Sequence, residues 1–137
     1  MSSYAVVDTD VFSYLWQGRP EATRFDAALR NVVPVLSFTS VAEVYFGATH
    51  ANWGERRRKQ LDAAIRPYVV VPYNIDMAKL WGKLKSQAIR AGHPLGHNSQ
   101  SNDLWVATTA IFYDAPLLTN NRAHFADMPG LRLVTPA

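Results

Sequence analysis

Three acids, Asp8, Glu43 and Asp103, stand where an apolar run ends or a helical one begins. Asp8 comes straight after Ala5-Val6-Val7, and a carboxylate there cannot stay unpaired in an apolar layer. It either caps the following helix or occupies a polar cleft at the strand tip. Asp10, two residues on, is the expected N-cap, which leaves Asp8 free for chemistry. Glu43 lies in Ser40-Val41-Ala42-Glu43-Val44-Tyr45-Phe46-Gly47, in the expected first turn of a helix capped by Thr39 or Ser40. Its structural alternative is a capping box with Ser40. Asp103 belongs to the first turn of Asn102-Asp103-Leu104-Trp105-Val106-Ala107, where the helix dipole also favours an acid. Carboxylates brought together repel and call for a cation, and an all-oxygen set suits Mg²⁺ or Mn²⁺ rather than zinc. With no cysteine, His93, His97 and His124 form no zinc motif; as loop histidines they are expected to be exposed.

The elements that would position these acids alternate. Strands are expected at Tyr4–Val7, Val32–Phe38, Tyr68–Val71 and Pro116–Thr119, with a fifth at Leu131–Val134. Between them, helical spacing covers Asp10–Gln17, Glu21–Leu29, the segment after Ser40, Glu55–Arg66, Ile75–Arg90 and Asn102–Phe112. Gly92 suits a helix C-cap, and His93–Ser101 reads as a polar loop. Strand alternating with helix implies a parallel sheet covered on both faces, with ligands outside the carboxyl ends of the strands. All three acids fall on that edge.

Composition limits the alternatives. The 137 residues are 48% hydrophobic with no cysteine, excluding a disulfide scaffold and fitting a cytoplasmic location. The apolar runs Tyr68–Tyr73 and Leu104–Phe112 fall far short of the ~20 residues of a membrane span, so no membrane association is expected. Met1-Ser2-Ser3-Tyr4 carries no basic segment, so no signal peptide is expected. The net charge of +3 permits a polyanionic partner without demanding one, although ten of the fourteen basic residues are arginine.

Four segments, Val6-Val7-Asp8-Thr9-Asp10-Val11, Ser40-Val41-Ala42-Glu43, Asn102-Asp103-Leu104-Trp105-Val106-Ala107 and Leu118-Thr119-Asn120-Asn121-Arg122-Ala123-His124-Phe125, closely resemble in that order the PIN domain, specifically the VapC toxins of bacterial toxin–antitoxin pairs. The resemblance covers nearly the whole chain. It implies an α/β PIN-like sandwich, a central parallel sheet of four to five strands flanked by helices, as a single domain over residues 1–137. It also implies a Mg²⁺-dependent endoribonuclease, with Mn²⁺ as a substitute, that cleaves structured RNA such as tRNA and leaves 5′-phosphate and 3′-hydroxyl ends. A homodimer and a small VapB-type antitoxin that blocks the active site complete the picture. Carried over by position, Asp8 and Asp103 match direct metal ligands, and Glu43 a ligand or a base that orients water. The family commonly has a fourth acid in the segment Thr119–Phe125, but here no acid lies between Asp114 and Asp127. Asn121 or His124 stands in its place, so one Mg²⁺ is expected to bind firmly and a second weakly.

Other residues carry weaker signals. Thr9 could hold a phosphate or orient Asp8, with an ST-turn as its structural role. Asn120 and Asn121 lie at the mouth of the fourth strand, and Arg56 and Arg57 belong to a basic run that would suit an RNA backbone. Trp53 could stack on a base or a partner, whereas Trp81 and Trp105 fit core faces. Two rival readings remain. Asp8-Thr9-Asp10 after an apolar strand resembles the nucleophile motif of haloacid-dehalogenase-type phosphatases, but Asp114 and Asp127 are isolated and form no paired-acid motif. The other is a catalytically weak or inactive PIN-like module that binds RNA or protein.

Overall fold

The computed structural model describes residues 3–134. The expected domain over 1–137 therefore extends at both ends beyond the described residues, as does the Met1-Ser2 start. Five strands, β1 (Ser3–Val7), β2 (Val32–Ser37), β3 (Val69–Val71), β4 (Leu117–Leu118) and β5 (Leu133–Val134), form one sheet in the order β3-β2-β1-β4-β5. Every pairing is parallel. The short apolar runs are consistent with this, because a parallel sheet buries both faces and its strands need not alternate with polar residues.

Successive residues of β1 serve opposite layers. Val6 packs with Val35, Val71, Leu84, Leu104 and Leu117, while Val7 packs with Phe12, Phe25, Leu36 and Leu61. The first layer holds α5 (Ile75–Ala91) and α6 (Ser101–Phe112); the second holds α1 (Thr9–Gln17), α3 (Phe38–His50) and α4 (Glu55–Ile65). A 3₁₀ turn at Pro20–Phe25 and the one-turn α2 (Asp26–Leu29) bring the chain back to β2, and α7 (Arg122–Phe125) links β4 to β5. Trp81 and Trp105 do pack, in a half-buried stack of Tyr73, Trp105 and Trp81 with ring centroids 4.4 and 5.2 Å apart.

Helix starts differ from the sequence expectation in two places, for one reason. The N-cap is the extended residue that ends the strand. Asp8, at φ −62° and ψ 150°, caps α1, and Asp10 lies inside the first turn. Ser37 caps α3 by accepting the Ser40 amide at 3.1 Å, so neither Thr39 nor Ser40 caps, and Glu43 lies beyond the first turn. The stretch expected as a polar loop before α6 folds into two 3₁₀ turns, Pro94–Gly96 and Asn98–Gln100. Their amides at Leu95 and Ser99 are accepted by the ring Nδ1 of His93 and His97. His93 is half-buried rather than exposed, with Nε2 2.6 Å from the Ala126 carbonyl.

Gly96 sets how closely this turn approaches α5. A Cβ there would stand 2.7 Å from the Ile89 backbone nitrogen and 2.9 Å from the Ala88 carbonyl carbon. Backbone cannot yield as a side-chain tip can. Gly96→Ala is expected to destabilise the protein by roughly 1–3 kcal/mol, read as a lowered midpoint in urea unfolding, whereas Gly82→Ala, with open space at its Cβ, is expected to cost nothing.

Candidate active site

The parallel ladder delivers Asp8 to the sheet edge. Val7 pairs with Leu118, and the next residues in line, Asp8 and Thr119, stand side by side at the strand tips. The Asp8 amide continues the ladder by donating to the Leu118 carbonyl at 3.0 Å. Asp8 is only 5% exposed, and both of its carboxylate oxygens have partners. Oδ1 accepts the Thr9 amide at 2.8 Å, and Oδ2 accepts the Thr119 hydroxyl at 3.0 Å. Thr119 Oγ1 in turn accepts the Asn121 amide at 3.0 Å, which ties the turn after β4 to the same point.

A second chain of contacts joins α1 to α3. The Thr9 hydroxyl lies 2.8 Å from Ser40 Oγ and 3.2 Å from Glu43 Oε1, and Ser37 Oγ lies 3.1 Å from Ser40 Oγ. Thr9 thus orients Glu43 rather than Asp8 through its hydroxyl, and Asn102 at the start of α6 also hydrogen-bonds Glu43. Asp103 meets His124, with Nε2 3.0 Å from Oδ2. Of the two residues set against the missing fourth acid, His124 touches an acid, while Asn121 uses its side-chain oxygen to cap α7 on the His124 amide at 3.3 Å. Asn120 is exposed beside it. Arg56 and Arg57 lie exposed on α4, and the Arg57 guanidinium rests 3.8 Å over the Trp53 ring.

Burial, then the charge of Asp103, pushes the Asp8 carboxyl from 3.8 up to about 7, against the lowering effect of its Thr119 hydrogen bond. Glu43 is likewise raised, first by burial and then by Asp103, while Thr9 and Asn102 hold it down. Asp103 is raised by burial and partly relieved by His124. The exposed Asp10 adds its negative charge to all three. Sequence reasoning assigned Asp10 to capping and gave Thr119 no role. The only signal for Thr119 is its register with Asp8, visible once β4 is paired with β1.

No three Asp, Glu or His side chains among the described residues converge closely enough to enclose an ion. The donor chemistry nevertheless fits a hard divalent cation. The acids are raised by burial and mutual repulsion, offset only in part by His124 at Asp103, and Mg²⁺ is commonly held by one or two carboxylates, with water and substrate phosphate completing its shell. An apolar recess of about 350 Å³, lined by Tyr4, Val35, Val69, Val71 and Tyr113, offers no carboxylate. No helix among the described residues is long and apolar enough to cross a membrane.

The PIN domain family matches residues 5–131, and the chain belongs to that family. Ribonuclease VapC1 of Haemophilus influenzae strain R2866 is 29% identical over 129 residues, covering 93% of each chain. The tRNA(fMet)-specific endonuclease VapC of Shigella flexneri is 23% identical over 127 residues, again covering 93% of each. Among solved structures, VapBC2 from Rickettsia felis bound to a DNA fragment from its promoter superposes with a TM-score of 0.83 at 22% identity, covering 98% of this chain and 99% of that one. VapBC-1 from nontypeable Haemophilus influenzae gives a TM-score of 0.74 at 27% identity, covering 96% and 97%.

Asp8 has a measurable cost. Its folded value of about 7 lies above the ordinary 3.8, so the native state binds the extra proton between these limits. The penalty is complete above pH 7 and disappears as pH falls toward 4. With a chelator present, Asp8→Asn is expected to be more stable than wild type by roughly 1–4 kcal/mol at pH 8, and this gap should narrow as pH falls below 7 and close only near pH 4. Thermal melts across pH check this. Millimolar Mg²⁺ at pH 8 is expected to narrow the gap by stabilising the wild type alone.

Proposed function

We propose that this chain is a divalent-metal-dependent endoribonuclease and the toxin of a VapBC-type pair. The observation that supports the reading is that the carboxyls of Asp8 and Glu43, held at the strand tips by Thr119 and Thr9, are raised by burial and by the charge of Asp103. Asp8 and Asp103 would hold Mg²⁺ or Mn²⁺, with Glu43 as a further ligand or as the base that orients water. When bound, the ion would supply charge neutralisation at the scissile phosphodiester and a water of lowered pKa.

The chain's own residues prepare the rest. Thr119 and the Thr9 amide fix both Asp8 oxygens, so the carboxylate needs no reorganisation when substrate arrives. Hydrogen bonds from Thr9 and Asn102 favour the ionised form of Glu43 against the burial that raises its carboxyl, and a carboxylate there can accept a proton from attacking water. His124, against Asp103, stands where relatives commonly place a fourth acid, so the site carries less negative charge and would bind one ion firmly. Asn120, Arg56 and Arg57 supply polar and cationic contacts for the substrate.

Residues 1–137 form a single domain in this reading, acting in the cytoplasm as a homodimer. Structured RNA such as tRNA is the substrate class, a choice supported by the similarity to the tRNA(fMet)-specific endonuclease of Shigella flexneri. Because the similar solved structures are toxin–antitoxin complexes, a small VapB-type antitoxin is the expected partner. Its Arg or Lys would enter the acidic cleft and relieve the same repulsion as the metal. The second reading, a catalytically weak or inactive binding module, is favoured by two features: Asp103 already has a partner in His124, and among the described residues no three donors enclose an ion.

RNA cleavage with and without Mg²⁺ separates the two. The wild type is expected to cut RNA only with the divalent ion, and Asp8→Asn and Asp103→Asn are each expected to lose at least ~100-fold in rate while keeping the fold. Retained activity in either variant would exclude the ligand assignment. Asn121→Asp is expected to preserve or raise activity at low Mg²⁺ and Asn121→Ala to weaken it. An inactive, folded Asp variant contradicts the one-metal account.

A further inference from the structure

The ribonuclease reading requires a strand of RNA that continues beyond the cleaved phosphate, and a groove leaves the acids in a direction such a strand can follow. It measures about 280 Å³ and runs between α1 and α3 from Thr9 and Glu43 to the indoles of Trp16 and Trp53. Thr9, Ser13, Trp16 and Gln17 share one helix face by their spacing and form the α1 wall. Glu43, Val44 and Gly47 form the α3 side. At the far end the Trp16 and Trp53 rings lie 5.2 Å apart, tilted by 36°. Arg57 places its guanidinium 3.8 Å from the Trp53 ring centre and 5.9 Å from that of Trp16.

Gly47 has no local justification. It sits inside α3, where glycine costs roughly 1 kcal/mol relative to alanine. Its φ is not positive, and a Cβ built on it meets nothing within 4 Å. Neither backbone geometry nor packing requires glycine here; the missing side chain only leaves the groove open. Beside that opening stand aromatic walls, the polar ends of Ser13 and Gln17, and an exposed cation. Flat aromatic surface with hydrogen-bonding groups at its edge is what an unpaired nucleobase takes, and a guanidinium plane suits both the base and its phosphate.

Resting on the ribonuclease reading, we propose that this groove seats the base of the nucleotide flanking the cleaved phosphate, against the Trp16–Trp53 pair, with Gly47 as the opening that admits it. The seat selects an unstacked nucleotide, so cleavage falls in loops or single strands rather than in continuous duplex.

The test uses an oligoribonucleotide that the wild type cuts with Mg²⁺, the same oligonucleotide with an abasic residue on either side of the cut, and the variants Gly47→Ala and Gly47→Met. Both variants replace glycine with a good helix former and are expected to melt at a higher temperature than wild type. Both are expected to lose kcat/KM through a raised KM, with Gly47→Met down by about 10-fold or more. An abasic residue on one side of the cut is expected to cost the wild type about 10-fold and Gly47→Met far less, because the seat is already blocked. A folded Gly47→Met that cuts as the wild type does, or a wild type indifferent to abasic residues on both sides, overturns the proposal. Normal cutting by Gly47→Met combined with lost inhibition by an arginine-bearing antitoxin peptide also overturns it, by assigning the groove to a protein partner. A wild type that cuts no RNA refutes the ribonuclease reading itself, a result distinct from an active enzyme that ignores Gly47.

Discussion

A carboxylate buried at the tip of the central strand is the constraint around which the rest is arranged. Removing Asp8 from water costs free energy that its hydrogen bonds from the Thr9 amide and the Thr119 hydroxyl only partly return. Those two donors come from a helix start and from the end of a neighbouring strand, so satisfying Asp8 fixes the junction of β1, α1 and β4. The Asn121 amide on Thr119 extends the same network to α7 and hence to His124. A hydrogen-bonded strand tip and a charged cleft are therefore one construction.

Electrostatics divides the surface into opposing regions. The protein is basic overall, yet Asp8, Asp10, Glu43 and Asp103 place four acids at the strand tips. The dense cationic run lies on α4, at the other end of the groove from those acids. An approaching polyanion is attracted by the ridge and repelled by the cleft until a cation enters, so binding and metal loading reinforce one another. His124 moderates the repulsion at Asp103 without removing it.

The fold class, the parallel sheet and the five longer helices were legible because apolar runs and 3.6-residue spacing alternate along the chain, whereas the helix expected over Glu21–Leu29 is a 3₁₀ stretch at Pro20–Phe25 followed by the one-turn α2. The acids were legible because each breaks an apolar pattern at an element boundary. The exact helix starts were not, since Asp8 and Asp10, or Ser37 and Ser40, are equally competent caps by residue type. What decides is which residue still has the extended backbone of the strand. Thr119 was hidden for a different reason: its partner lies 111 residues away, and no local pattern encodes that contact. Gly47 had no signature at all, because an interior helical glycine acquires meaning only when the space above it is known to be empty.

That separation of 111 residues also orders the birth of the molecule. β1 lies at the centre of the sheet, but its β4 neighbour is made long after it, and the carrier of Asp103 precedes β4 only shortly. A ribosome-bound chain with β1, β2 and β3 complete has Asp8 and Glu43 but neither the Thr119 clamp nor His124. Sequence-distant parallel pairing is slow to form, because its loop-closure entropy must be met before the contact forms. The cluster of acids at the strand tips is therefore complete only once β4 has been made and has paired with β1.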